Sequence, residues 1–192
     1  MGAICGLMMT SMFCMLFPGP FMQKIVAGMG SILLNGSTTN LDVNGPLTVD
    51  AGLTFTHTTG IVTIGSGNLM SVLGDYDWSN GTITGLGTFT IGANGALTML
   101  SSGTKTFDGI AVNVTGAGST FYYESGAAGL HFASGTLMTV DSGGTLTLGG
   151  SNSISDDDAS DNRILIGAGG TMERTGSGTT IVNVDLDVNG TL

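Results

Sequence analysis

The chain has 192 residues, 34 of them glycine, and carries 14 acidic side chains against four lysines and arginines for a net charge of −10. Three prolines and no Gly-X-Y period exclude collagen, and 41% hydrophobic against 9% charged residues is the reverse of a disordered composition. Basic side chains stand only at Lys24, Lys105, Arg163 and Arg174. No cluster exists to displace counterions from a phosphate backbone, which excludes nucleic acid as an expected partner.

Residues 1–30 differ from the rest. They hold seven of the 11 methionines, and no charge precedes Lys24. The apolar run 3–17 has the length of a signal-peptide core and is short of the ~20 residues that span a bilayer. Pro18-Gly19-Pro20 ends it, and Val26-Ala27-Gly28 offers small residues for cleavage, but a positive segment ahead of the run is missing. An export signal, an anchor and a spurious start ahead of a longer gene all remain open. Cys5 and Cys14 are the only cysteines, so no disulfide framework is expected to hold the remainder.

From residue 31 short runs of β-formers alternate with corners of Gly, Asn and Asp. "LTVDAGLTF" (47–55), "FTIGANGALTML" (89–100), "MTVDSGGTLTL" (138–148) and "ILIGAGGTMER" (164–174) share one grammar of strand, corner and strand. Side chains alternate with period two: Phe89, Ile91, Leu97 and Met99 share one face, and Thr88, Thr90 and Thr98 the other. Asn-Gly pairs beginning at 35, 44, 80, 94 and 189 suit hairpins of a sandwich or barrel. The short strands and the recurring unit favour an all-β parallel β-solenoid (right-handed β-helix) over residues 31–192, of about six or seven coils of ~20–27 residues. In that fold Val49, Ile91, Val140 and Ile166 should point inward as a ladder, although their spacing is irregular.

The segment "WSNGTITGLGTFTIGANGALTMLSSGTKTFDGIAVNV" (78–114) resembles the repeats of large bacterial surface and secreted β-helical adhesin-type proteins. These include autotransporter passengers and filamentous-haemagglutinin-like exoproteins. The resemblance lies in Trp78, Gly81-Thr82-Ile83, Gly87-Thr88-Phe89, Gly95-Ala96, Lys105-x-Phe107-x-Gly109 and Val112-Asn113-Val114, and its style continues through 169–192. It implies an extracellular or cell-surface, non-catalytic structural or adhesive role. Its partners would be surface glycans or neighbouring repeats, and it brings no cofactor.

Asp156, Asp157, Asp158 and Asp161 in "SDDDASDN" are a calcium candidate, since calcium takes six to eight oxygens on a flexible loop. The spacing matches neither an EF-hand nor a nonapeptide repeat, and a solvated loop explains it as well. Asp75 and Asp77 form a lesser pair. Thr-x-Thr triplets at 54–56, 56–58, 82–84, 88–90, 104–106 and 145–147 would suit ice binding only if they ran in registry from coil to coil. His57 sits among outward threonines and His131 stands alone, which makes no triad. A carbohydrate-active β-helix enzyme would have to draw on Lys105 with Asp158 and Asp161. In Phe121-Tyr122-Tyr123, alternation buries either Tyr122 or its two neighbours.

One phrase occurs twice: "LDVNGPL" (41–47) and "LDVNGTL" (186–192). Read as a repeat of 145 residues, it makes the chain a segment of a longer array. Leu186, Val188 and Leu192 would then lie at an uncapped edge prone to edge-to-edge association.

Overall fold

The computed structural model describes residues 30–192 except 101, 102, 125, 127 and 159. Of residues 1–29 it describes the backbone of two short strands, Leu7–Met9 and Gln23–Ile25. The expectations for a signal, an anchor or a spurious start, and those for Cys5 and Cys14, lie outside the described residues. No described helix is long and apolar enough to cross a membrane.

The chain winds as a parallel β-solenoid of about six turns. Each coil gives one strand to each of three sheets. The first sheet stacks Gly30–Leu34, Leu53–His57, Asp75–Trp78, Ala96–Met99, Thr120–Tyr123, Thr145–Gly149 and Thr171–Thr175. The second runs from Asn40–Val43 through Ile61–Ile64, Gly81–Thr84, Lys105–Asp108, Leu130–Ala133 and Asn152–Asp156 to Thr180–Val182. The third runs from Gln23–Ile25 through Leu47–Val49, Leu69–Val72, Thr88–Ile91, Ala111–Thr115, Leu137–Asp141 and Arg163–Ile166 to Asp185–Val188. Among the described strands the one antiparallel pair is Leu7–Met9 against Gly30–Leu34. The coil grows along the chain: Phe55 pairs with Tyr76 and Tyr76 with Leu97, 21 residues on each time, whereas Leu146 pairs with Met172, 26 residues on.

Alternation creates the core. On each strand every second side chain turns inward, and the inward set is apolar and stacked coil upon coil. Val49, Ile91, Val140 and Ile166 are fully buried and belong to one column. Its rungs are Val49, Val72, Ile91, Val114, Val140 and Ile166, each the register partner of the next. The irregular spacing of the four residues is therefore two coils, two coils and one. Aromatic rings fill the middle: Phe55 stacks on Tyr76 at 4.9 Å, Tyr76 meets Phe89 edge-on at 5.3 Å, and Trp78 packs on Phe107 at 4.9 Å. Such contacts add about 0.5–1.5 kcal/mol each beyond burial.

The corner from the third sheet to the first repeats in backbone detail. A three-residue reverse hydrogen bond closes it in successive coils: Leu53 N–H to Asp50 O, Gly95 N–H to Gly92 O, Gly144 N–H to Asp141 O and Gly170 N–H to Gly167 O, at 2.8–3.0 Å. One residue of the turn takes the left-handed backbone, as Asn94 does at φ 60°. The residue that closes the turn passes against the coil below. A Cβ on Gly144 would lie 2.1 Å from Val114 O, and one on Gly170 2.0 Å from Val140 O. Glycine is required there by contact between coils.

Two sequence readings need correction. Asn94-Gly95 forms no hairpin, because the strands on either side of it, Thr88–Ile91 and Ala96–Met99, belong to different sheets. The repeated phrase is not a repeat of position either. Residues 41–47 start on the second sheet and turn into the third, whereas residues 186–192 start on the third and turn toward the first, where Thr191 bridges Thr171. A hydrophobic-acidic-hydrophobic strand followed by Asn-Gly fits either corner, so the phrase recurs without marking a 145-residue period.

Candidate functional site

The Asp-rich loop joins Asn152–Asp156 on the second sheet to Arg163–Ile166 on the third. Its carboxylates accept hydrogen bonds from their own surroundings. Asp158 Oδ2 accepts from Ser134 N–H at 2.7 Å, and its Oδ1 accepts from Ser160 N–H and Asn162 Nδ2 at 3.0 Å and from the Ser160 hydroxyl. These donors, Ser160 foremost, hold the Asp158 carboxyl down at about 2. Asp156 Oδ1 accepts from Asp158 N–H at 3.1 Å and Asn162 Nδ2 at 2.6 Å. Asn162 is the buried centre: its Oδ1 accepts from Thr136 N–H at 2.8 Å. Asp157 turns to His131 instead, and Asp161 lies 3.9 Å from Arg163. Among the described residues no group of three or more His, Cys, Asp or Glu side chains is placed to hold a metal ion.

His131 Nδ1 is 2.5 Å from Asp157 Oδ1 and 3.1 Å from Ser155 Oγ. Three residue types of a hydrolytic triad thus meet on the outer face of the second sheet. Both partners share one ring nitrogen, whereas a triad base needs the carboxylate on one nitrogen and the nucleophile on the other.

A second cluster is internal and runs along the corner between the first and second sheets. His57, expected among outward groups, is fully buried, because Leu53, Phe55 and His57 share the inward parity. Its Nδ1 accepts from Tyr76 Oη at 3.0 Å, and its Nε2–H donates to Gly60 O at 3.2 Å. Burial lowers its pKa to about 4, only partly opposed by the Gly60 bond. Trp78 Nε1 donates to Asn80 O at 3.1 Å. Lys105 is buried one rung away from Gly81, and its Nζ donates to Gly103 O at 2.7 Å. Burial pulls its ammonium down to about 8, against the pull of the Glu124 carboxylate. Tyr123 Oη accepts from Leu130 N–H at 3.1 Å and lies within 3.0 Å of Ala128 O and Ser153 O. Asn152 Nδ2 donates to Tyr123 O and Glu124 O. Each coil therefore puts one inward polar side chain where the longer corner loops leave backbone groups to satisfy. Parity carried a signal for two of them: Phe55 sets the face of His57, and Phe107 sets that of Lys105.

Lys105 sits at the first corner of its coil, whereas Asp158 and Asp161 lie in a loop leading to the third sheet. The fold does not join the set a carbohydrate-active site was expected to draw on. The threonines form broken ranks. On the first sheet one outward column reads Thr54, Asp75, Ala96, Thr120, Thr145 and Thr171, and its neighbour reads Thr56, Asp77, Thr98, Tyr122, Thr147 and Glu173. The Asp77 carboxyl is held above its usual range by burial and then by Asp75. Alternation buries Phe121 and Tyr123 and turns Tyr122 outward, 36% exposed.

The last coil opens on an apolar cavity of about 390 Å³ lined by Leu148, Met172, Val182, Leu186 and Leu192 among others. No protein-family model, no curated protein and no solved structure matches this chain.

Proposed function

We propose that the chain is a non-catalytic structural or adhesive segment of an extracellular or cell-surface protein. The observation that carries this reading is the unbroken core column from Val49 to Ile166. It gives one continuous core under outer faces of Thr, Ser and Asp, which suits a stiff acidic rod that presents surface over length. Tyr122 on the first sheet, between Thr98 and Thr147, is the aromatic that would stack on a sugar ring. The test is binding of the purified chain to immobilised glycans. Tyr122→Ala should lower retention with the melting temperature unchanged. Equal retention of variant and parent, or none by either, defeats the adhesive reading.

One observation favours a carbohydrate-active enzyme as the second reading. Asp75 and Asp77 share the outward face of one strand, and Asp77 is held in its protonated form to higher pH than usual. That is the asymmetry an acid–base pair needs. Release of reducing sugar from acidic or neutral polysaccharides, abolished by Asp77→Asn, would establish it.

A further inference from the structure

Among the described residues, Thr180–Val182 and Asp185–Val188 pair on one side only, and on the free side of Thr171–Thr175 Thr191 alone bridges Thr171. The inward columns that are closed in earlier coils are open here. Leu186 and Val188 are 39% and 38% exposed, whereas their register partners Ile164 and Ile166 are fully buried. An apolar cavity with free backbone donors and acceptors around it is a docking surface for another strand.

We propose that this face takes a second copy of the chain, head to tail, with Gln23–Ile25 of the second copy laid parallel on Asp185–Val188. The register supplies the argument. Position 25 begins the column that continues through Val49, Val72, Ile91, Val114, Val140 and Ile166 to Val188. Position 24 begins the adjacent column, which continues through Thr48, Ser71, Thr90, Asn113, Thr139 and Leu165 to Asp187. One further parallel rung therefore extends the core column with an isoleucine and sets a lysine in register with a half-exposed carboxylate. Lys24 is one of only four basic residues in the chain.

The opposite arrangement, tail against tail, meets repulsion. Residues directly opposite in an antiparallel ladder share a face. Pairing Asp185–Val188 with its own copy about Leu186 sets Asp185 against Asp187 twice, and like charges directly opposite destabilise a sheet. A head-to-tail contact leaves a free end at each side, so assembly is open and linear. This surface goes beyond the proposed rod and does not depend on what the rod adheres to.

The experiment is sedimentation of the 192-residue chain from micromolar to millimolar concentration at low and high salt. The weight-average mass should rise with concentration, without a plateau at two chains, and less steeply in salt. Lys24→Asp and Asp187→Lys should each weaken association by at least about tenfold, and the double swap should restore it. If the charge reversals fold poorly, Lys24→Gln and Asp187→Asn carry the test: each must weaken association and reduce its salt dependence. A single-chain mass at every concentration, a plateau at two chains, a double swap as weak as the single swaps, or neutral variants that associate like the parent would each overturn the proposal.

Discussion

At the scale of single residues the buried polar groups decide the chemistry. His57 is neutral in the folded chain, with a pKa of about 4 against an ordinary 6.5. The unfolded chain takes up that proton between these values and the folded chain does not, so stability is full above pH 6.5 and falls as pH drops toward 4. The loss attributable to this one group is about 3 kcal/mol at most. Urea unfolding at pH 7 and pH 4.5 should show a large part of this drop, and His57→Gln should remove it while lowering stability at pH 7. Asn162 is the second such residue. Its loss leaves the buried Thr136 N–H without its side-chain acceptor, so Asn162→Ala should cost about 1–3 kcal/mol. Hydrogen exchange at the Thr136 amide, faster in the variant, is the matching local measurement.

At the scale of the strand and its corner, contact between coils outweighs local conformational preference. Gly170 has an ordinary φ, yet a Cβ there would stand 2.0 Å from Val140 O. Gly52 has φ 82° with nothing within 4 Å of a Cβ. Ala at Gly52 therefore meets only left-handed backbone strain, about 1–2 kcal/mol. Ala at Gly170 forces two coils apart and should cost more than about 3 kcal/mol. Thermal unfolding of the two variants, compared with the parent, orders the two effects.

At the scale of the whole molecule, stability is shared unevenly along one stack. A central rung is covered by a coil on each side, and the last rung by one. Ile91→Ala opens a cavity in the closed column and should cost about 2–5 kcal/mol. Val188→Ala, in the same column but 38% exposed, should cost less than about 1 kcal/mol. Chemical denaturation of both at a concentration where the chain is monomeric makes the comparison. Equal losses would mean that the column is not the continuous core described above.

Local order was written in the sequence because its causes are local. Two-residue alternation put Phe89, Ile91, Leu97 and Met99 inside, and glycine at each corner signalled a turn. Parity also held the inward positions of His57 and Lys105, though their polarity masked them. What only the tertiary structure decided is how distant segments meet. Asn-Gly favours the left-handed backbone in a hairpin and in a solenoid corner alike, and only the pairing of Ala96–Met99 with Asp75–Trp78 and Thr120–Tyr123 distinguishes them. The true period of 21 to 26 residues stayed hidden because corners absorb insertions while strands keep register. Two copies of "LDVNG" landed on different sheets for the same reason. A strand and its turn are set by their own side chains, but the face they occupy depends on how much chain the preceding corners have taken up.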